Sequence, residues 1–199
     1  MSPLTARQTD IVNATIQLIS EAGIQRLTMK RIAQQVGVTE PALYRHFDSK
    51  MDILLSLLES FKQRRRAIMG GAADHEGPAI DRIFHIFSTF IAHFSAHPTV
   101  AALIFSEEIF QDDKRLSAQV FEMMQLNGTI MTALVTEGQA QGDIRSELPA
   151  QHITNILMGS FRLTVSRWHL SHHAFDLRTE ADALCTTLKT MIRSGSAQS

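Results

Sequence analysis

The segment from Thr28 to Phe47 limits the possible folds more than any other. Met29, Ile32, Ala33 and Val36 stand at i, i+3, i+4 and i+7, one apolar face of a short helix opened by Thr28. Gly37 ends that pattern. The turn Val36-Gly37-Val38-Thr39 is four residues long, with glycine where the backbone needs a positive φ. Thr39 then serves as N-cap, and Pro41 falls in a first turn, where its missing N–H costs nothing. Leu43 and Phe47 anchor the second helix, Glu40–Phe47, inward at i, i+4. Thr39, Glu40, Ala42, Tyr44, Arg45 and His46 are left to point elsewhere. A helix held by so few apolar residues, showing hydroxyls, an arginine and an imidazole, suits reading a groove better than filling a core. Without further context the same residues would also make an ordinary solvated face.

The rest of the chain reads as helical too. Period-2 alternation is missing, and Gly and Pro fall between helical patterns. A first helix is expected from Thr5 to Ala22, stopped by Gly23, and a longer one from Lys50 to Met69, capped by Ser49. The small, polar run Gly70–Gly77 is the best domain boundary. Beyond it the patterns place helices at Ile80–Ala96, Thr99–Phe110, Leu116–Gln141, Pro149–Leu170 and Leu177–Arg193, about nine in all. The fold class is therefore all-α.

Charge is unevenly spread. Residues 1–66 carry ten Lys/Arg against six Asp/Glu, while residues 67–199 carry nine against fourteen. The positive excess sits where a polyanion would be held. No apolar run is long enough for a membrane span, and the N-terminus lacks the apolar core of a signal peptide, so a cytoplasmic protein is expected. A lone cysteine, Cys185, fits a reducing compartment. A Gly-rich phosphate loop, a His-Glu-x-x-His pair and a nucleophile elbow are all missing, which argues against an enzyme. No cofactor is called for.

The run Thr28-Met-Lys-Arg-Ile-Ala-Gln-Gln-Val-Gly-Val-Thr-Glu-Pro-Ala-Leu-Tyr-Arg-His-Phe-Asp-Ser-Lys50-Met-Asp-Ile-Leu54 resembles the DNA-binding signature of the TetR family of regulators. The matching elements are the opening Thr, the Ile-Ala pair, the Gly-Val-Thr turn, Leu-Tyr-x-His-Phe and the Ser-Lys that follows. The resemblance implies an N-terminal three-helix DNA-binding domain (residues 1–50), a connecting helix (50–69) and a C-terminal helical domain (70–199) for ligand binding and dimerisation. It implies a homodimer on a pseudo-palindromic operator, usually a repressor released by a small effector. It also implies phosphate contacts from Tyr44 and His46. Thr28 and Lys50, each at a helix start, suit phosphate as well. Base reading would fall to Thr39, Glu40, Ala42 and Arg45, with arginine suited to guanine and the methyl groups to thymine.

In the C-terminal half, Phe84, Phe87, Phe90, Phe94, Met123, Met124 and Met131 form an apolar stripe, read either as plain core or as the wall of an effector site. Asn127 falls on the face of Val120, Met123, Met124, Ile130 and Met131, where its amide needs a partner: a neighbouring backbone group, or a ligand. His93 and His97, at i, i+4, with Glu107 and Glu108 as distant ligands, suggest a metal site only weakly, because Pro98 disturbs the helix there; no metal is expected. Leu177, Ala181, Leu184, Leu188 and Met191 keep a near-heptad seam. Ile153, Ile156, Leu157, Phe161 and Trp168 supply a second apolar surface. The two helices would form a four-helix dimer interface, or pack within one chain.

Overall fold

A computed structural model describes residues 4–73, 76–105 and 114–195. Among them are nine α-helices and one 3-10 turn: α1 Ala6–Ala22, α2 Met29–Val36, α3 Glu40–Tyr44, α4 Lys50–Ala73, α5 Ala79–Ala96, α6 Pro98–Phe105, α7 Lys114–Gln141, α8 Ala150–Leu170 and α9 Leu177–Ile192, with the turn at Ile24–Arg26. The all-α expectation holds. No strand occurs among the described residues, only an isolated bridge between Ile144 and Arg193.

The chain forms two compact units. The first comprises Met1–Gln63 and Pro98–Ala118, the second Arg64–His97 and Gln119–Ser199. In the first unit, Thr5 opens α1 with a capping box: its hydroxyl accepts from the Gln8 N–H while the Gln8 side chain accepts from the Thr5 N–H. Ile11, Val12, Leu18 and Ile19 of α1 are buried, as are Leu27, Ile32, Leu43, Phe47, Ile53, Leu54 and Leu58 from the following elements. The short helix α6 packs on α1 within this unit.

In the second unit, α5 buries a broad apolar face. Ile80, Ile83, Phe84, Ile86, Phe87, Phe90, Ile91 and Phe94 are buried, which suits a helix packed on several sides. It lies against α8 and α9. Arg82 of α5 donates to Glu137 of α7 at 2.7 Å, and Lys189 of α9 pairs with Asp81 of α5. The Arg145 N–H donates to the Ile192 carbonyl at 2.9 Å, tying the α7–α8 connection to the end of α9.

Several expectations change. The helix of α3 ends at Tyr44 rather than Phe47; the His46 N–H turns to the Leu43 carbonyl at 2.9 Å, tightening the last turn. α4 runs through Gly70 and Gly71 to Ala73, so the break comes later in the glycine-rich run. The expected end of the Thr99–Phe110 helix lies outside the described residues. The seam of α9 faces its own chain: Leu177, Ala181 and Leu188 are buried, on a helix packed against α5 and α8, and Met191 is exposed. Met124 is exposed as well, because it lies one residue, or about 100° of helix, on from buried Met123.

Candidate nucleic-acid interface and effector site

Local chemistry builds the candidate interface. Thr28 caps α2, its hydroxyl oxygen accepting from the Arg31 N–H at 3.2 Å. That leaves the exposed O–H free to donate outward. Gly37 ends α2 in the left-handed region (φ 74°, ψ 36°), and the Val38 N–H returns to the Ala33 carbonyl at 2.9 Å. Thr39 caps α3, accepting from Ala42 N–H at 3.4 Å. Leu43 and Phe47 are buried, as expected, and hold α3 against the unit. Tyr44 is 47% exposed, and Arg45 and His46 are exposed beside it. Gln8 Nε2 of α1 donates to the His46 carbonyl at 3.3 Å, fixing the end of α3.

Ser49 precedes α4. Its hydroxyl accepts from the Asp52 N–H at 3.2 Å and donates to Asp52 Oδ2 at 2.7 Å. Arg115 Nη1 donates to the other oxygen of Asp52 at 2.9 Å. Lys50 therefore stands, half-buried, in a braced first turn of α4. All eight expected residues belong to the first unit, at the N-caps of α2 and α3, on α3 and the turn after it, and at the start of α4. Thr28, Thr39, Tyr44, Arg45 and His46 are exposed, and Glu40, Ala42 and Lys50 are half-buried. The arrangement presents a cation, an imidazole, a phenol and two hydroxyls on a rigid helix pair.

The second unit places the expected effector residues as follows. Phe84, Phe87, Phe94, Met123 and Met131 are buried, and Asn127 is half-buried. The rings meet around Phe161 of α8, which stacks on Phe87 with centroids 5.1 Å apart and lies 6.2 Å from Phe94 and 6.4 Å from Phe90. Of the two roles open to the Phe161 surface, a dimer interface or packing within one chain, the ring contacts place Phe161 itself in the second. Arg65 enters only with the fold. The Oδ1 of Asn127 accepts from Arg65 Nη1 at 2.9 Å.

The histidines group differently. His93 and His97 have ring centroids 4.8 Å apart. Burial, then His97, then Arg64 push the His93 pKa down. Among the described residues no three His, Cys, Asp or Glu side chains are placed to hold a metal ion, and Glu107 and Glu108 lie outside those residues. Burial, with Asp182 behind it, raises the Cys185 thiol pKa, which disfavours the reactive thiolate. Among the described residues no single helix is long and apolar enough to cross a membrane.

Known proteins match both units. The model for bacterial regulatory proteins of the tetR family matches residues 11–57, and that for the C-terminal region of YsiA-like proteins matches residues 58–191. A fatty acid metabolism regulator protein of Bacillus subtilis is 25% identical over 169 residues, spanning 84% of this chain and 86% of its own. The nucleoid occlusion factor SlmA of Actinobacillus pleuropneumoniae is 28% identical over 174 residues, spanning 84% of this chain and 85% of its own. The transcriptional regulator FadR of Bacillus subtilis, solved in complex with stearoyl-CoA, shares the fold with a TM-score of 0.77 at 22% identity, covering 93% of this chain and 99% of its own. With the capped helix pair of the first unit and family matches that continue through the second, this chain belongs to the TetR family of bacterial regulatory proteins and is a DNA-binding transcription regulator, not an enzyme.

Proposed function

We propose that the chain represses transcription in the cytoplasm as a homodimer on a pseudo-palindromic operator, and leaves it when the C-terminal part takes up a small, largely apolar effector. The observation that carries the DNA reading is the split character of α3 and the turn after it: Leu43 and Phe47 are buried while Tyr44, Arg45 and His46 face solvent. In this reading residues 1–50 read the DNA, α4 is the connection, and the remainder senses and dimerises. Thr28, Tyr44, His46 and Lys50 hold phosphates and fix the register. Thr39, Glu40, Ala42 and Arg45 face base edges, with Arg45 donating to guanine O6 and N7.

For dimerisation the support is a stripe on α8. Ile156, Leu163 and Leu170 recur every seven residues and are 47%, 61% and 77% exposed. Gly159 and Ser166 fall between them, so large and small positions alternate along one seam. A second copy related by a two-fold axis would place this stripe against itself. For the effector, the support is the ring cluster of Phe84, Phe87, Phe94 and Phe161 together with Met123, Asn127 and Met131. The name of the Bacillus subtilis fatty acid metabolism regulator and the stearoyl-CoA bound to Bacillus subtilis FadR point the same way, to a fatty acyl compound.

The test is selection of bound DNA from a random pool, followed by mobility shifts on the selected site. Lys50→Ala is expected to weaken binding to every sequence and to reduce the salt slope by about 0.9 per half-site. Tyr44→Ala weakens binding to every sequence. Arg45→Ala relaxes the preference at one position per half-site, at a cost of about 1–3 kcal/mol. Unchanged binding in all three variants refutes the DNA reading. Fatty acyl compounds that leave the complex intact refute the effector reading.

A further inference from the structure

Helix α4 carries an arginine where its apolar face should continue. Leu58, Phe61, Arg65 and Met69 follow at spacings of three, four and four residues, and all are buried. Arg65 is 5% exposed. One of its nitrogens, Nη1, donates to the neutral amide oxygen of Asn127, while the buried Nε has no hydrogen-bond partner. Burial lowers the pKa of the guanidinium, Arg66 lowers it further, and the carboxylate of Glu122 on α7 acts the other way. Asn127 is the matching anomaly on α7. Val120, Met123, Met131 and Leu134, at helical spacing around it, are all buried.

Two polar interruptions of two apolar faces thus meet each other in the second unit. As pure architecture the pair is a poor choice, since well-packed hydrophobic residues at such sites are usually as stable or more so. As a binding device it makes sense. A guanidinium offers five donors in a fixed fork, and inside a protein these act on an oxyanion far more strongly than in water. We propose that Arg65, oriented by Asn127, anchors the oxyanion headgroup of the effector, whose hydrocarbon body lies along the Met123 and Met131 face of α7. The effector is then an amphipathic acid rather than a neutral apolar molecule. This rests on the reading that the C-terminal part binds a small apolar effector, and it adds the headgroup and the residue that selects it. The oxyanion comes either from a free carboxylate or from the phosphates of an acyl carrier.

The test is calorimetric titration of the full-length chain with laurate, lauroyl-CoA and dodecanol, repeated with Arg65→Met, Arg65→Lys and Asn127→Leu. Wild type is expected to prefer at least one of the two anions over dodecanol by tenfold or more. Laurate preferred identifies the carboxylate; lauroyl-CoA alone preferred identifies the phosphates. Arg65→Met should weaken the preferred anion by about 10- to 100-fold and leave dodecanol within about threefold. Arg65→Lys should recover part of the preference, having the charge without the fork. The Arg65→Met protein without effector should melt no lower than wild type, because a buried guanidinium carries a desolvation cost that a well-packed methionine does not. If Arg65→Met does not fold, Asn127→Leu carries the test and should show the same loss of preference. Equal binding of the preferred anion by wild type and the variants overturns the anchor alone. Equal binding of dodecanol and both anions by wild type also overturns it. No binding of any of the three by wild type overturns the effector reading and the anchor together.

Discussion

Leu163→Glu should break the dimer while leaving the protomer folded. Leu163 is 61% exposed in the single chain, between Ile156 and Leu170 on the α8 stripe. Burying a whole leucine side chain stabilises by about 1.5–3 kcal/mol, so covering the exposed six-tenths is worth about 1–2 kcal/mol. A two-fold interface contains the residue twice, giving about 2–4 kcal/mol for the pair. At 1.4 kcal/mol per tenfold, the dimer dissociation constant should rise about 30- to 1,000-fold. Glutamate adds two like charges facing each other, so the upper end is the better expectation. The side chain already meets solvent in the protomer, so its melting should change by no more than about 0.5 kcal/mol. Sedimentation equilibrium from 0.1 to 100 times the wild-type dissociation constant reads the shift directly. Operator affinity should fall with it, because a monomer engages one half-site at a time. A Leu163→Glu protein that dimerises as wild type does would refute the assignment of this stripe to the interface.

Other perturbations test the fold and its pH response. A Cβ at Gly138 of α7 would lie 2.6 Å from Cδ1 and 2.9 Å from Cγ1 of buried Ile144. Gly138→Ala should therefore lower the urea midpoint, as an overpacking cost of about 1–3 kcal/mol exceeds the helix-propensity gain of up to about 1 kcal/mol. Ile144→Val, which removes the nearest carbon, should recover part of that loss in the double variant. At Gly37 a Cβ would meet nothing within 4 Å, but the backbone is left-handed, so Gly37→Ala should cost about 1–2 kcal/mol in urea unfolding from conformation alone, and Gly37→Asn less. His169 is held below the usual histidine range by burial and then by His173 and His172, and its buried Nδ1 has no hydrogen-bond partner. The fold thus favours the neutral ring while the unfolded chain protonates first, so this contribution is complete above a pH of about 6.5 and is lost as pH falls below it. Melting temperature should drop between pH 7 and pH 5, modestly because the group is partly exposed, and His169→Gln should flatten the drop.

The DNA-binding segment was legible because everything that shapes it is local. The Thr28 and Thr39 caps, the left-handed Gly37 and the Leu43–Phe47 anchor each act within a few residues of the backbone they set. The proposed dimer seam was not legible in the same way. Both α8 and α9 carry heptad-spaced apolar residues, and spacing reports that a face is covered without saying by what. The fold separates them: Leu177, Ala181 and Leu188 of α9 are buried in the protomer, while Ile156, Leu163 and Leu170 of α8 remain exposed. Asn127 was recognised as a polar residue on an apolar face, yet its partner is 62 positions away on α4, beyond the reach of any periodicity. Arg65 itself had a readable signal, since it occupies the i+4 position after Phe61 in an apolar register.

That residue bears on what the family relationship leaves open. Proteins named as a fatty acid metabolism regulator and as a nucleoid occlusion factor each match 84% of this chain, at 25% and 28% identity. A shared fold therefore does not choose the signal. The apolar rings do not choose it either: a cluster of phenylalanines accepts any hydrocarbon of suitable size, and one methylene more or less changes affinity only modestly. Discrimination in such a setting must come from polar groups that cost free energy unless the right ligand satisfies them. In the second unit, Arg65 has a buried Nε without a hydrogen-bond partner, and an anionic ligand would satisfy it. If the effector is an acid, the same arginine that makes the empty core less favourable makes the loaded one specific.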